Sequence, residues 1–145
     1  MNARGLLFGI VLLAAAHLSA QAPPAPQLNQ FAGTWKADFH KQTWLVLTLV
    51  DAKATLTGTL THSTELSADD EGDITSVGEE MSADKIVSVE LRGETLHLTT
   101  RDDDGIEDHY TLLVTGKDTA DLQPLSEGSA TPKAFKLKRA PSPQK

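Results

Sequence analysis

Beyond Phe31 the chain alternates apolar and polar residues with period two, and no stretch there keeps a helical period. Leucines and β-branched residues fill the alternating runs, and Gly and Asp clusters divide them. That is the pattern of short strands joined by tight turns. The clearest hairpin sets Val87, Val89 and Leu91 in step, turns at Gly93-Glu94, and returns through Leu96 and Leu98. Glycine at the first turn position suits a type II′ turn, which places Leu91 opposite Leu96, Val89 opposite Leu98 and Glu90 opposite His97. The next turn, Asp103-Asp104-Gly105, reads as a three-residue loop with Gly in the left-handed position. It pairs Leu98 with Tyr110 and Leu96 with Leu112 on one face, and Arg101 with Glu107 on the other. Gly116-Lys117-Asp118 makes a further tight connection, after which Ala120 and Leu122 continue the apolar face. Upstream, Leu45, Leu47 and Leu49 fold back through residues 51–54 onto Leu56, Gly58 and Leu60.

The spacing predicts eight strands, each beside its predecessor, over residues 33–39, 43–50, 54–61, 86–92, 95–101, 107–115, 119–124 and 133–139. An open sheet of this kind would expose two edges to pairing with other chains, and closure removes both. The expected fold is therefore all-β: a small eight-stranded up-and-down antiparallel β-barrel over residues 31–139. Its inner face collects Phe31, Trp35, Phe39, Leu45, Leu47, Leu49, Leu56, Leu60, Val87, Val89, Leu91, Leu96, Leu98, Tyr110, Leu112, Val114, Leu122, Phe135 and Leu137. Burying one such side chain contributes about 1.5–3 kcal/mol, enough in sum to hold a domain that has no disulfide. The connection over residues 62–85 is acidic and Ser-rich, and its length marks it as a lid or a solvated loop. Ile74 and Val77 within it are suited to an extra short strand or to covering one end of the barrel.

Gly33-Thr34-Trp35 opens the first strand, and Arg139 shares a face with Phe135 and Leu137 at the end of the last. In a closed barrel these two strands are neighbours, so the guanidinium can lie across the indole of Trp35. With Gly33, Trp35 and Arg139 in these places the chain resembles the lipocalin and calycin superfamily. Barrels of that superfamily begin with Gly-x-Trp and set a basic residue of the last strand over that Trp. The strands here are shorter, the chain is smaller, and no helix follows the barrel. The resemblance implies an interior that takes a small apolar or amphipathic molecule. Such a ligand would meet Trp35, Leu47, Val89, Leu98, Tyr110 and Arg139.

The N-terminus changes the picture of where the domain works. Arg4 is followed by an apolar run from Leu6 to Ala16, with Ser19 and Ala20 as small residues at a cleavage site. Residues 1–20 read as a secretory signal peptide, too short to span a bilayer, and residues 21–30 as a Pro-rich linker. Residues 140–145 read as a flexible tail. The protein is thus expected in a periplasm or outside the cell, with no membrane insertion after cleavage. It has no Cys, so neither a cysteine-based lipid anchor nor a disulfide is available. The formal charge is -7 and becomes one unit more negative once Arg4 leaves with the signal peptide. Such a surface repels phosphate backbones and anionic lipid, which argues against nucleic acid as a partner.

Candidate chemistry is sparse. There is no Gly-x-Ser-x-Gly, phosphate-binding Gly loop or His-Glu-x-x-His, so the chain is expected to be a non-enzymatic protein without a cofactor. His97 and His109 face outward on adjacent strands near Glu90, but a closed metal shell needs a further ligand, and they read as solvated outer-face residues. The acidic runs 69–73 and 102–108 lack the Asp spacing and terminal Glu of a calcium loop; the second is explained by its turn. Trp44 and Val46 alternate with the inward leucines and so fall on the outer face. An exposed Trp44 would mark a surface for an exported protein partner, as in an inhibitor or accessory subunit; otherwise the long connection or the N-terminal segment covers it.

Overall fold

A computed structural model describes residues 27–126 and 132–142. The expected signal peptide, most of the linker and the last residues of the tail lie outside these. A 3₁₀ turn at Leu28–Phe31 precedes ten strands. They are β1 (Gly33–Phe39), β2 (Gln42–Asp51), β3 (Leu56–Ser63), β4 (Leu66–Ala68), β5 (Ile74–Val77), β6 (Met81–Arg92), β7 (Thr95–Arg101), β8 (Glu107–Gly116), β9 (Thr119–Pro124) and β10 (Phe135–Arg139). Eight of them close into an antiparallel barrel in the order β1-β10-β9-β8-β7-β6-β3-β2, and β4 and β5 form a separate two-stranded sheet. The up-and-down barrel is as the alternation predicts.

Register follows the turns. Leu91 pairs with Leu96, Val89 with Leu98 and Glu90 with His97, and Gly93 takes φ +62°. Leu98 pairs with Tyr110, Arg101 pairs with Glu107, and Gly105 sits at φ +85°. Between β2 and β3 the strands pass so closely that a Cβ at Gly58 would lie 1.8 Å from the Thr48 carbonyl oxygen. Only glycine fits there.

Three departures from the expected pattern bear on the site. A bulge in β6 sets Ile86 against Thr100 and Ser88 against Thr99, so that Val87 faces out rather than in. Val87 is 42 % exposed, and Ile86 takes its place among the residues packed on the core. The second bulge lies between β1 and β2, where Ala37 pairs with Leu45 but Asp38 pairs with Thr43. Trp44 is the extra residue, and the local kink buries both Trp44 and Leu45. Third, β6 begins at Met81 rather than at residue 86, because β3 and β6 pair from Ser63–Met81 to Thr59–Lys85. The intervening segment is a hairpin, β4–β5, and Ile74 and Val77 pack against the core from it.

One end of the barrel is sealed by the 3₁₀ turn. Phe31 and Trp35 are fully buried there, and the Trp35 indole N–H donates to the Phe31 carbonyl at 2.8 Å. Trp35 and Arg139 pair across the closing seam, and the guanidinium carbon stands 3.9 Å from the indole centroid. Arg139 Nη1 donates to the Ala32 carbonyl, and Nη2 donates to that of Gln30 at 2.8 Å. Gly33 makes this possible: a Cβ there would stand 2.9 Å from Arg139 Nη1. The guanidinium ties the N-terminal turn to both ends of the sheet.

Candidate functional site

The other end of the barrel, here the mouth, is built differently on its two sides. One arc runs over β2, β1 and β10. Trp44 and Phe135 meet edge to face at 4.9 Å between ring centroids, and β1, the strand between theirs, carries the small Ala37 on its inner face at that level. The β4–β5 hairpin reaches this arc. Its tip is pinned by the Lys133 backbone N–H to the Gly72 carbonyl at 3.0 Å and by Lys133 Nζ to Asp73 Oδ2 at 2.6 Å. Gln42 Nε2 holds its other end through the Gly78 carbonyl at 2.9 Å. Between hairpin and barrel lies a cleft of about 190 Å³ whose walls include Trp44, Ile74, Lys133 and Phe135.

The opposite arc, over β3, β6, β7 and β8, is polar. Asp84 points inward from β6 and is only 4 % exposed, because it alternates with Lys85 and shares a face with Ile86. His62 on β3 reaches it, with Nε2 3.0 Å from Asp84 Oδ2, while His62 Nδ1 lies 2.9 Å from the Ser63 carbonyl. The ring thus lies between two acceptors, the Ser63 carbonyl and the Asp84 carboxylate, and which nitrogen donates depends on its tautomer. Both ring nitrogens are engaged either way. Thr100 on β7 lies diagonal to Asp84 and directly opposite Asp108, and is 1 % exposed. Its hydroxyl has no hydrogen-bond partner, the sole buried side-chain polar atom so left among the described residues.

Tyr110 completes the arc from β8, diagonal to Thr100. Burial, then the charges of Asp108 and Asp84, push its phenol up to about 12, so it stays protonated at every physiological pH. The same field marks the arc as a place of negative potential. Of the cationic side chains of this end, Arg101 pairs with Glu107, Lys133 with Asp73 and Lys136 with Asp121, Lys85 lies on the outer face, and Lys41 is exposed in the β1–β2 turn.

Of the residues expected to line the interior, Leu47 and Leu98 are buried in the core, with Val89 and Tyr110 packed partly buried against it. Trp35 and Arg139 stand at the far end, and their polar atoms are engaged in sealing it. Trp44 as an exposed partner surface is corrected, and its alternative holds: it is 3 % exposed, with Phe135 and the β4–β5 hairpin of the long connection beside it. Asp84 and His62 were not among the candidates, because the predicted strands stopped at 61 and resumed at 86. Carrying the alternation of Leu60 and Ile86 into the gap puts both residues on the inner face. On the outer face His109 Nδ1 contacts Thr99 Oγ1 at 3.1 Å, and the Arg92 hydrogen bond holds Glu90 below the usual carboxylate range. Among the described residues no three His, Asp or Glu side chains converge as a metal site.

No family profile matches the chain, and no curated protein matches it in sequence. Among solved structures, the crystal structure of Treponema pallidum Tp0751 (pallilysin) is similar, with a TM-score of 0.51 at 12 % identity. The match covers 81 % of this chain and 87 % of that one. At that identity the likeness is one of fold.

Proposed function

We propose that this protein is an exported, non-catalytic β-barrel that binds a small amphipathic ligand at its mouth. The observation that carries the reading is the division of the mouth into an aromatic arc, Trp44 and Phe135, and a polar arc, Asp84, Thr100 and Tyr110, with a buried hydroxyl left unpaired. An unpartnered buried hydroxyl costs about 1–3 kcal/mol, a cost that a ligand hydrogen bond would offset. Sites for small molecules combine apolar walls with a few polar groups in this way. Export is supported by the basic, apolar and small-residue pattern of residues 1–20. Kinship with calycins is supported by the Gly33, Trp35 and Arg139 arrangement, in which glycine leaves room for the guanidinium over the indole.

The test is a titration of the folded protein with N-phenylnaphthylamine, an uncharged apolar fluorophore. Saturable one-to-one enhancement, weakened when Phe135→Ala opens the aromatic arc, is the expected result. A linear, non-saturating response identical in the variant would overturn the reading.

A further inference from the structure

Resting on that reading, we infer that the polar arc recognises a primary ammonium group, so that the ligand is a small organic cation with an apolar tail. The inventory of the arc decides the sign of the ligand's charge. Asp84 uses Oδ2 for His62, and among the described residues nothing donates to its Oδ1. Thr100 Oγ1 is unpaired and Asp108 stands opposite it at the rim. Tyr110 adds a hydroxyl oxygen held in the field of both carboxylates. An ammonium carries three N–H donors and no acceptor, which suits a cluster rich in oxygen acceptors and poor in free donors.

Other classes fit worse. A carboxylate or phosphate would face Asp84 and Asp108 with no cation to receive it. His62 is the one basic group of the arc, and both its nitrogens are already engaged, with Ser63 and Asp84. A divalent metal ion lacks its shell, since no three ionisable ligands converge among the described residues. A neutral alcohol would fill the apolar arc equally well but would leave the Asp84 oxygen with a weaker, uncharged donor. The tail follows from the opposite arc, where the Trp44–Phe135 pair supplies apolar surface.

The experiment is titration calorimetry of the full domain with hexylamine, hexanol and hexanoate, which share one tail and differ in head group. Hexylamine should bind about tenfold or more tighter than hexanol, as expected for a charge-assisted hydrogen bond, and hexanoate should be weakest. Asp84→Asn keeps the side-chain shape and should erase the preference for hexylamine while leaving hexanol unchanged. Thr100→Val, which is expected to fold at least as well as the parent, should weaken hexylamine several-fold. Equal affinity for the three heads, or a preference for hexanoate, overturns the ammonium assignment and leaves ligand binding at the mouth standing. Absence of saturable heat from all three, together with no response to N-phenylnaphthylamine, removes both.

Discussion

Thr100→Val should make the ligand-free protein more stable, although it deletes a polar group from a strand that is otherwise well ordered. Thr100 is 1 % exposed, its neighbours across the strands are Ile86 and Asp108, and its hydroxyl bonds to nothing. Burying a hydroxyl without a partner costs about 1–3 kcal/mol on mutational scales. Valine has nearly the same shape, suits a strand as well, and exchanges that oxygen for a methyl group worth roughly 0.8 kcal/mol when buried. The sum is a gain of about 2–4 kcal/mol, set mainly by the hydroxyl term. Urea unfolding followed by tryptophan fluorescence reads it, since a domain of this size is expected to unfold in two states. With a slope of roughly 1–2 kcal/mol/M the midpoint should rise by about 1 M or more, and the slope itself should not change. A midpoint lowered by the same amount would refute the reasoning, because it would mean that the hydroxyl is satisfied in solution. Paired with weaker hexylamine binding, the gain would identify Thr100 as a residue kept for its ligand at the expense of the fold.

Three further outcomes follow from other parts of the molecule. Tyr110 is the single tyrosine, so phenolate absorbance reports it alone, and its midpoint should lie near 12 in the folded protein. Its folded value stands above the unfolded one of about 10, so stability should be intact below pH 10 and fall as pH rises from there through 12; Tyr110→Phe should flatten that fall, and a folded midpoint at 10 would count against burial of the phenol. Arg139→Lys keeps the charge but cannot serve two carbonyls and the indole face together; it should cost about 1–3 kcal/mol and shift Trp35 emission, and a neutral result would show that the seal does not depend on the guanidinium. His40 and Lys41 join β1 to β2 with φ +47° and +72°, so replacing them with Asn-Gly should raise the thermal midpoint by several degrees, at about 1 kcal/mol or more of relieved backbone strain; no rise would show the turn to be unstrained.

The hairpins from Val89 to Leu122 were legible because their registers are local. Gly93 and Gly105 set the turns, and a period of two then carries each side chain to one face. The meeting of Trp35 and Arg139 was legible for another reason: once the sheet is closed, the first and last strands have to be neighbours. One half of the polar arc was legible in Tyr110, whose alternation also puts Thr100 and Asp108 on the same face. The other half was hidden because Asp84 and His62 lie in a Ser-rich acidic stretch whose β-propensity is low. They become strand only through pairing of β3 with β6.

Sequence by itself determined the all-β class, the closed barrel and most of the inner wall, since alternation and turn chemistry act between near neighbours and survive without knowledge of the whole. Tertiary structure decided the exceptions. Two bulges, each one extra residue that no periodic pattern records, turned Val87 outward and Trp44 inward. Closure then set the inward acids and hydroxyls of three strands on one side of the mouth and two aromatic rings on the other. That division depends on how strands distant in sequence stand around the barrel, a relation fixed by the whole sheet and by no single hairpin.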